Sequence, residues 1–194
     1  YDDFSSDGSI LLGKLNVSLI KGSETYSFEY DKEWLSKNKL LFNLDPELLP
    51  FSGRQFPTGK NIFGIFADAS PDRWGRVLMN KRERLLAERE NRKPAKLHDS
   101  DYLLGVYDET RMGGIRFKLE VDGPYLSDDK ETAVPPWASL RSLEEASRNF
   151  EKDENGVTDK WLNLLIRPGS SLGGARPKAT VKDPKGQLWI AKFP

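Results

Sequence analysis

The sequence predicts an α+β fold in which a helical middle lies between two β-hairpins. Three observations carry this reading. Apolar residues alternate at strand period near both ends of the chain, each time around a turn. The clearest 3.6-residue apolar pattern follows Ser70-Pro71-Asp72, between those hairpins. Pro- and Gly-rich stretches separate the segments.

The first hairpin is predicted over Ser9 to Tyr30. Leu15, Val17 and Leu19 alternate, then Tyr26, Phe28 and Tyr30, with Lys21-Gly22-Ser23 between them. Trp34-Leu35 sits on a short helical turn, and Leu44-Asp45-Pro46 through Pro57 reads as a long ordered loop. Ser70 is the expected N-cap and Pro71 the first helical residue of the main helix, which carries Trp74, Val77, Leu78, Leu85 and Leu86 and is limited by Pro94. Asp99 or Ser100 is expected to cap a short helix through Tyr102, Leu103 and Leu104. Ile115, Phe117, Leu119 and Val121 then alternate as a strand before an Asp122-Gly123-Pro124 turn.

Residues 122–137 form the best linker by composition and place a subdomain boundary near residue 125, giving units 1–125 and 126–194. In the second unit Ser142-Leu-Glu-Glu145 matches a capping box, with Leu140, Leu143, Ala146 and Phe150 at helical spacing. Trp161, Leu164 and Leu165 mark another helix. Ala179 to Lys182 and Gln187 to Phe193 flank Asp183-Pro184-Lys185-Gly186 as the closing hairpin, with Leu188, Ile190 and Lys192 on one face.

Composition narrows the functional classes. The 194 residues carry 30 Lys+Arg against 30 Asp+Glu, so no global basic field favours non-specific nucleic-acid binding. A hydrophobic fraction of 37% and a mean hydropathy of −0.62 describe a soluble chain able to bury a core, and no run reaches the roughly 20 apolar residues of a membrane helix. The absence of Cys excludes disulfides, thiol catalysis and thiolate metal sites, and is compatible with a reducing, cytoplasmic setting. The chain opens at Tyr1 without Met or a signal-like segment, as expected of a trimmed sequence.

The most informative segment is Arg167-Pro-Gly-Ser-Ser-Leu-Gly-Gly-Ala-Arg-Pro-Lys178. Its glycines let backbone amides approach phosphate oxygens, and Arg176 and Lys178 add positive charge. A solvated hairpin entry is the competing reading. No G-x-G-x-x-G occurs, and Gly53 to Asn61 fails as a Walker A loop because it is one residue too long and has Asn61 where Ser or Thr is needed. Lys192, in Trp189-Ile-Ala-Lys-Phe193, is either a phosphate contact or an edge-strand Lys that keeps the sheet soluble.

From Arg76 to Lys96 eight cations face three Glu, a local net of +5. Such a run reads as the solvated face of an amphipathic helix, or as a docking surface for an acidic partner or RNA through Arg82, Arg84 and Arg89. His98 beside Asp99 and Asp101 reads as helix capping rather than as a metal ligand.

Ser170-Ser-Leu-Gly-Gly-Ala-Arg-Pro-Lys178 resembles the Gly-rich loop of the HipA family, the serine/threonine-kinase toxins of bacterial toxin–antitoxin systems. Ala191-Lys-Phe-Pro194 resembles that family's Lys-bearing strand, and Phe66-Ala-Asp-Ala-Ser-Pro-Asp-Arg-Trp-Gly75 its N-subdomain helix entry. Asp101-Tyr-Leu-Leu-Gly105 and Arg111-Met-Gly-Gly-Ile-Arg-Phe117 match the elements that follow, and Phe28 to Trp34 extends the likeness toward the start.

The resemblance implies a HipA-like N-terminal subdomain over 1–125 and the start of a kinase-like N-lobe over 126–194. It implies ATP phosphates held by Leu172, Gly173, Gly174, Ala175, Arg176, Lys178 and Lys192, with Met112 near the adenine. Ser171, or less favourably Ser170, falls where the family autophosphorylates, which ejects the loop and silences the enzyme. The catalytic Asp and the Mg2+-binding Asp would lie in a lobe beyond Pro194, so these residues alone should not transfer phosphate. Partners implied are a helix-turn-helix antitoxin, through which any DNA contact is indirect, and a protein substrate such as an aminoacyl-tRNA synthetase. The alternative is a non-catalytic binding module, or half of a split kinase, that docks a partner through residues 76–96.

Overall fold

The computed structural model describes residues 9–38, 43–126, 136, 139–152, 165 and 174–194. Over them the chain is a mixed α+β fold with two two-stranded antiparallel sheets and five α-helices. Ser170, Ser171, Leu172, Gly173, Trp161, Leu164 and most of the 122–137 linker lie outside the described residues. None of the described helices is long and apolar enough to cross a membrane.

The first hairpin forms as its alternation predicts. Strands β1 (Gly13–Ile20) and β2 (Ser23–Tyr30) pair from Gly13 opposite Tyr30 to Ile20 opposite Ser23. Lys21 and Gly22 both have positive φ, which suits a two-residue hairpin turn whose twist matches the strands. Tyr26, Phe28 and Tyr30 are buried, whereas Val17, Leu19 and Ile20 on β1 remain exposed. Helix α1 (Lys32–Asn38) follows at once, where the Asp31 carboxylate accepts the amides of Glu33 and Trp34. Trp34 stacks on Tyr30 at 4.8 Å, and Phe28 meets Phe66 of α2 (Gly64–Asp68) at 5.5 Å. These rings, with Leu48, Phe63, Leu103 and Ile115, make the first core.

Helix α3 (Arg73–Arg89) begins later than predicted. Its N-cap is Asp72, so Pro71 stays outside it, and the Ser70 hydroxyl donates to the carbonyl of Phe66 in α2 instead. At its other end Asn91 takes φ 51°. The amide of Arg92 then reaches the Ala87 carbonyl and that of Asn91 the Glu88 carbonyl, a Schellman closure reached before Pro94 acts. Helix α4 (Asp99–Leu104) is capped by His98, not by Asp99 or Ser100, and the Asp101 carboxylate accepts the His98 amide.

The strand predicted over 115–121 does not form. A single bridge joins Lys118 to Tyr125 across the turn that Gly123 closes on Glu120. Ile115 is buried and Phe117 packs on the first core, but Leu119 is 81% exposed and Val121 62%. Alternation therefore lacks both a partner strand and a face to cover beyond Phe117.

Helix α5 (Leu140–Lys152) starts before Ser142, which lies inside it, so the predicted capping box is not the helix start. Leu143, Ala146 and Phe150 are buried as their spacing predicts. Strands β3 (Lys178–Lys182) and β4 (Leu188–Lys192) form the closing hairpin, with Lys178 opposite Lys192 and Lys182 opposite Leu188. Ala179 and Val181 of β3 join Leu143, Ala146, Phe150, Leu165 and Phe193 in the second core. Trp74 and Leu78 of α3 complete that core, so a helix that precedes residue 125 packs among residues that follow it.

Candidate functional site

The candidate site lies where the segment 174–178 enters β3 against the first turn of α3. Gly174 has φ 91°, a left-handed conformation that favours glycine, and a Cβ there would sit 2.7 Å from the Lys178 ammonium. The Lys178 side chain thus folds back over Gly174. Both backbone groups of Gly174 are held by α3: its amide donates to the Asp72 carboxylate, and its carbonyl accepts the Trp74 amide at 3.2 Å. The Trp74 indole N–H donates to the Lys178 carbonyl at 3.1 Å, while its ring meets Phe150 edge-on at 5.4 Å.

Lys178 and Lys192 are cross-strand partners, so their side chains leave the hairpin on one face. Lys178 is 7% exposed, whereas Lys192 is exposed, as are Ala175 and Arg176. The register thus sets two like charges at one cross-strand pair. Thr180 continues the same face; it is buried, and its hydroxyl has no hydrogen-bond partner among the described residues. The face is cationic and has spare hydrogen-bonding capacity.

The turn of this hairpin is built by Asp183. Its carboxylate accepts the amides of Lys185 and Gln187 at 2.8 and 2.9 Å and the Trp189 indole N–H at 3.2 Å. These bonds, that of Gln187 foremost, hold the Asp183 carboxyl below its ordinary value. Trp189 lies at the exposed surface of β4.

The predicted site residues divide accordingly. Gly174, Ala175, Arg176, Lys178 and Lys192 come together around one end of the hairpin. Met112 does not join them: it lines a cavity of about 530 Å³ with Leu44, Asp45, Gly64, Asp68 and Ile115, and none of residues 174–194 lines it. The Gly174 amide meets a carboxylate rather than open space. Among the described residues no group of three or more His, Asp or Glu is placed to hold a metal ion.

Two residues of consequence are invisible in the sequence. Asp72 reads as an ordinary first-turn acid, and nothing in its surroundings signals a partner 102 positions away. Arg111 lies in the motif Arg111 to Phe117, yet its guanidinium is buried and donates to the carbonyls of Ala69, Leu103 and Val106 at 2.7 to 3.1 Å. It ties α2 to α4. No family model, curated protein or solved structure matches this chain.

Proposed function

We propose that the chain is the ATP-gripping N-terminal portion of a HipA-like serine/threonine-kinase toxin, acting in the cytoplasm under a helix-turn-helix antitoxin. The observation that carries the reading is the cationic end of the β3–β4 hairpin. There Lys178 and Lys192 face each other, Arg176 is exposed beside them, and a positive-φ glycine lets the Lys178 ammonium close over the backbone. In this reading Lys178 and Lys192 bind and orient the triphosphate of ATP by charge-assisted hydrogen bonds, and Arg176 screens it from water's side. Met112 lines a separate cavity and is given no nucleotide contact in this reading, and Ser171 is the regulatory phosphate acceptor. The described residues offer Mg2+ no ligand cluster, so the ion would be carried by the phosphates and by the Asp residues the family places elsewhere. The protein substrate is of the aminoacyl-tRNA synthetase kind.

Saturable binding of MgATP that is lost in Lys192→Ala tests the reading. Lys192 is exposed, so its loss should leave the fold intact.

A second reading, a docking module without nucleotide chemistry, is favoured by one specific observation. In the 76–96 run Arg76 pairs with Asp99, and Arg92 with Glu83 and Glu90. Lys81, Arg82, Arg84, Lys93 and Lys96 make no ion pair among the described residues and offer a surface to an acidic partner. Partner binding unaffected by ATP and weakened by charge reversal at Arg82 and Arg84 would favour it.

A further inference from the structure

An N-cap Asp ordinarily spends its carboxylate on the second or third amide of its own helix. Asp72 occupies the N-cap of α3 with extended backbone angles, yet makes no such bond. Its carboxylate instead accepts the Gly174 amide, and the Trp74 amide that it leaves uncapped donates to the Gly174 carbonyl. The exchange is reciprocal: one orphan amide of the helix end, the N-cap carboxylate and both backbone groups of one glycine are satisfied together. Four residues further on, the Lys178 carbonyl is held by the Trp74 indole, whose ring is buried in the second core. The segment 174–178 is therefore pinned at both ends, by the N-cap of α3 and by Trp74 in its first turn.

We propose that Asp72 and Trp74 form a clasp that sets the position of residues 174–178, and that Asp72 is a positioning residue for anion binding at Lys178 and Lys192. The proposal rests on the ATP reading above and deepens it. Gly174, fixed at φ 91°, brings the Lys178 ammonium over its own Cα, while the register sets the Lys178 and Lys192 backbones opposite each other; a segment free to rotate at Gly174 would not hold that ammonium in place. The clasp also assigns the Gly174 amide to the scaffold, leaving phosphate recognition to Arg176, Lys178 and Lys192. A carboxylate and a phosphate oxygen are rival acceptors for that amide. The alternative role of Asp72, a competitor that occupies the anion's place, therefore makes the opposite prediction.

Two readouts separate these outcomes. Hydrogen exchange at the Gly174 amide, followed by NMR without nucleotide, tests the clasp itself. Protection in the wild-type chain and at least tenfold faster exchange in Asp72→Ala are expected; rapid exchange in both would overturn the clasp. Calorimetric titration with MgATP tests the positioning role. Asp72→Ala should bind MgATP at least fivefold more weakly while still folded, and Asp72→Asn, which keeps an acceptor oxygen, should recover part of the loss. Unchanged or tighter MgATP binding by Asp72→Ala would overturn the positioning role. A wild-type chain that binds no MgATP would sink the ATP reading and the positioning role with it, while the exchange measurement still decides whether the clasp exists.

Discussion

Arg111 shows how much one side chain carries here. Its guanidinium is enclosed, lies 4.8 Å from the centre of the Phe117 ring, and satisfies three carbonyls from two helical segments, with the Asp108 carboxylate 3.9 Å away. Burial pushes its pKa down to about 10, against the pull of Asp108 and with a further push from Arg116. It stays protonated at neutral pH and donates to carbonyls that water cannot reach. Arg111→Met keeps the bulk but removes the donors, so it should lower stability by about 3 kcal/mol in urea unfolding. A loss below about 1 kcal/mol would mean those carbonyls find other donors. The role was not legible beforehand, because a cation in a Gly-rich stretch reads as surface. Lys178 and Lys192 follow the same rule: the register sets them opposite each other, and only the folding of the Lys178 side chain over Gly174 leaves one buried and the other exposed.

Between elements, the joint of hairpin and helix is electrostatic. Glu24 of β2 accepts the Ser100 amide at 3.0 Å and the Ser100 hydroxyl at the start of α4, and the Tyr26 hydroxyl at 2.7 Å. Burial works to raise the Glu24 pKa, but the bonds from Ser100 and Tyr26 together outweigh it and hold the carboxyl below its ordinary 4.5. A lowered carboxyl pKa adds stability that is fully present above the ordinary value and is lost as pH falls through the lowered one. The stability gap between wild type and Glu24→Gln should therefore be open at about pH 6 and narrowed at about pH 3. A gap that is the same at both would show that the carboxylate charge plays no part. The hairpins themselves were readable, since strand alternation and a positive-φ turn are local properties. The failed strand over 115–121 and the starts of α3 and α5 were not, whereas the reading of His98 as a helix cap matches the start of α4. The strand pattern found no partner strand, and Ser70 turned back to the Phe66 carbonyl of α2 instead of capping α3.

Across the whole molecule α3 is shared. One side of it gives Trp74 and Leu78 to the core of β3 and α5. Another meets α4, where Arg76 pairs with Asp99 and lies 4.5 Å over Tyr102, whose hydroxyl donates to Asn80. Leu78→Ala should cost about 2–5 kcal/mol, and the loss should appear equally in probes of either core, in a single unfolding transition. Two separate transitions, with only one shifted, would show that α3 does not couple the halves. The same helix, through Asp72 and Trp74, holds the segment that enters the cationic hairpin. Fold and candidate site thus meet at one helix end.

If the β3–β4 hairpin grips the triphosphate of ATP as proposed, calorimetric titration with MgATP should show saturable binding to the wild-type chain, none to Lys192→Ala, and stabilities that agree within about 0.5 kcal/mol. Absence of binding to the wild type, or equal binding to both, would contradict that proposal.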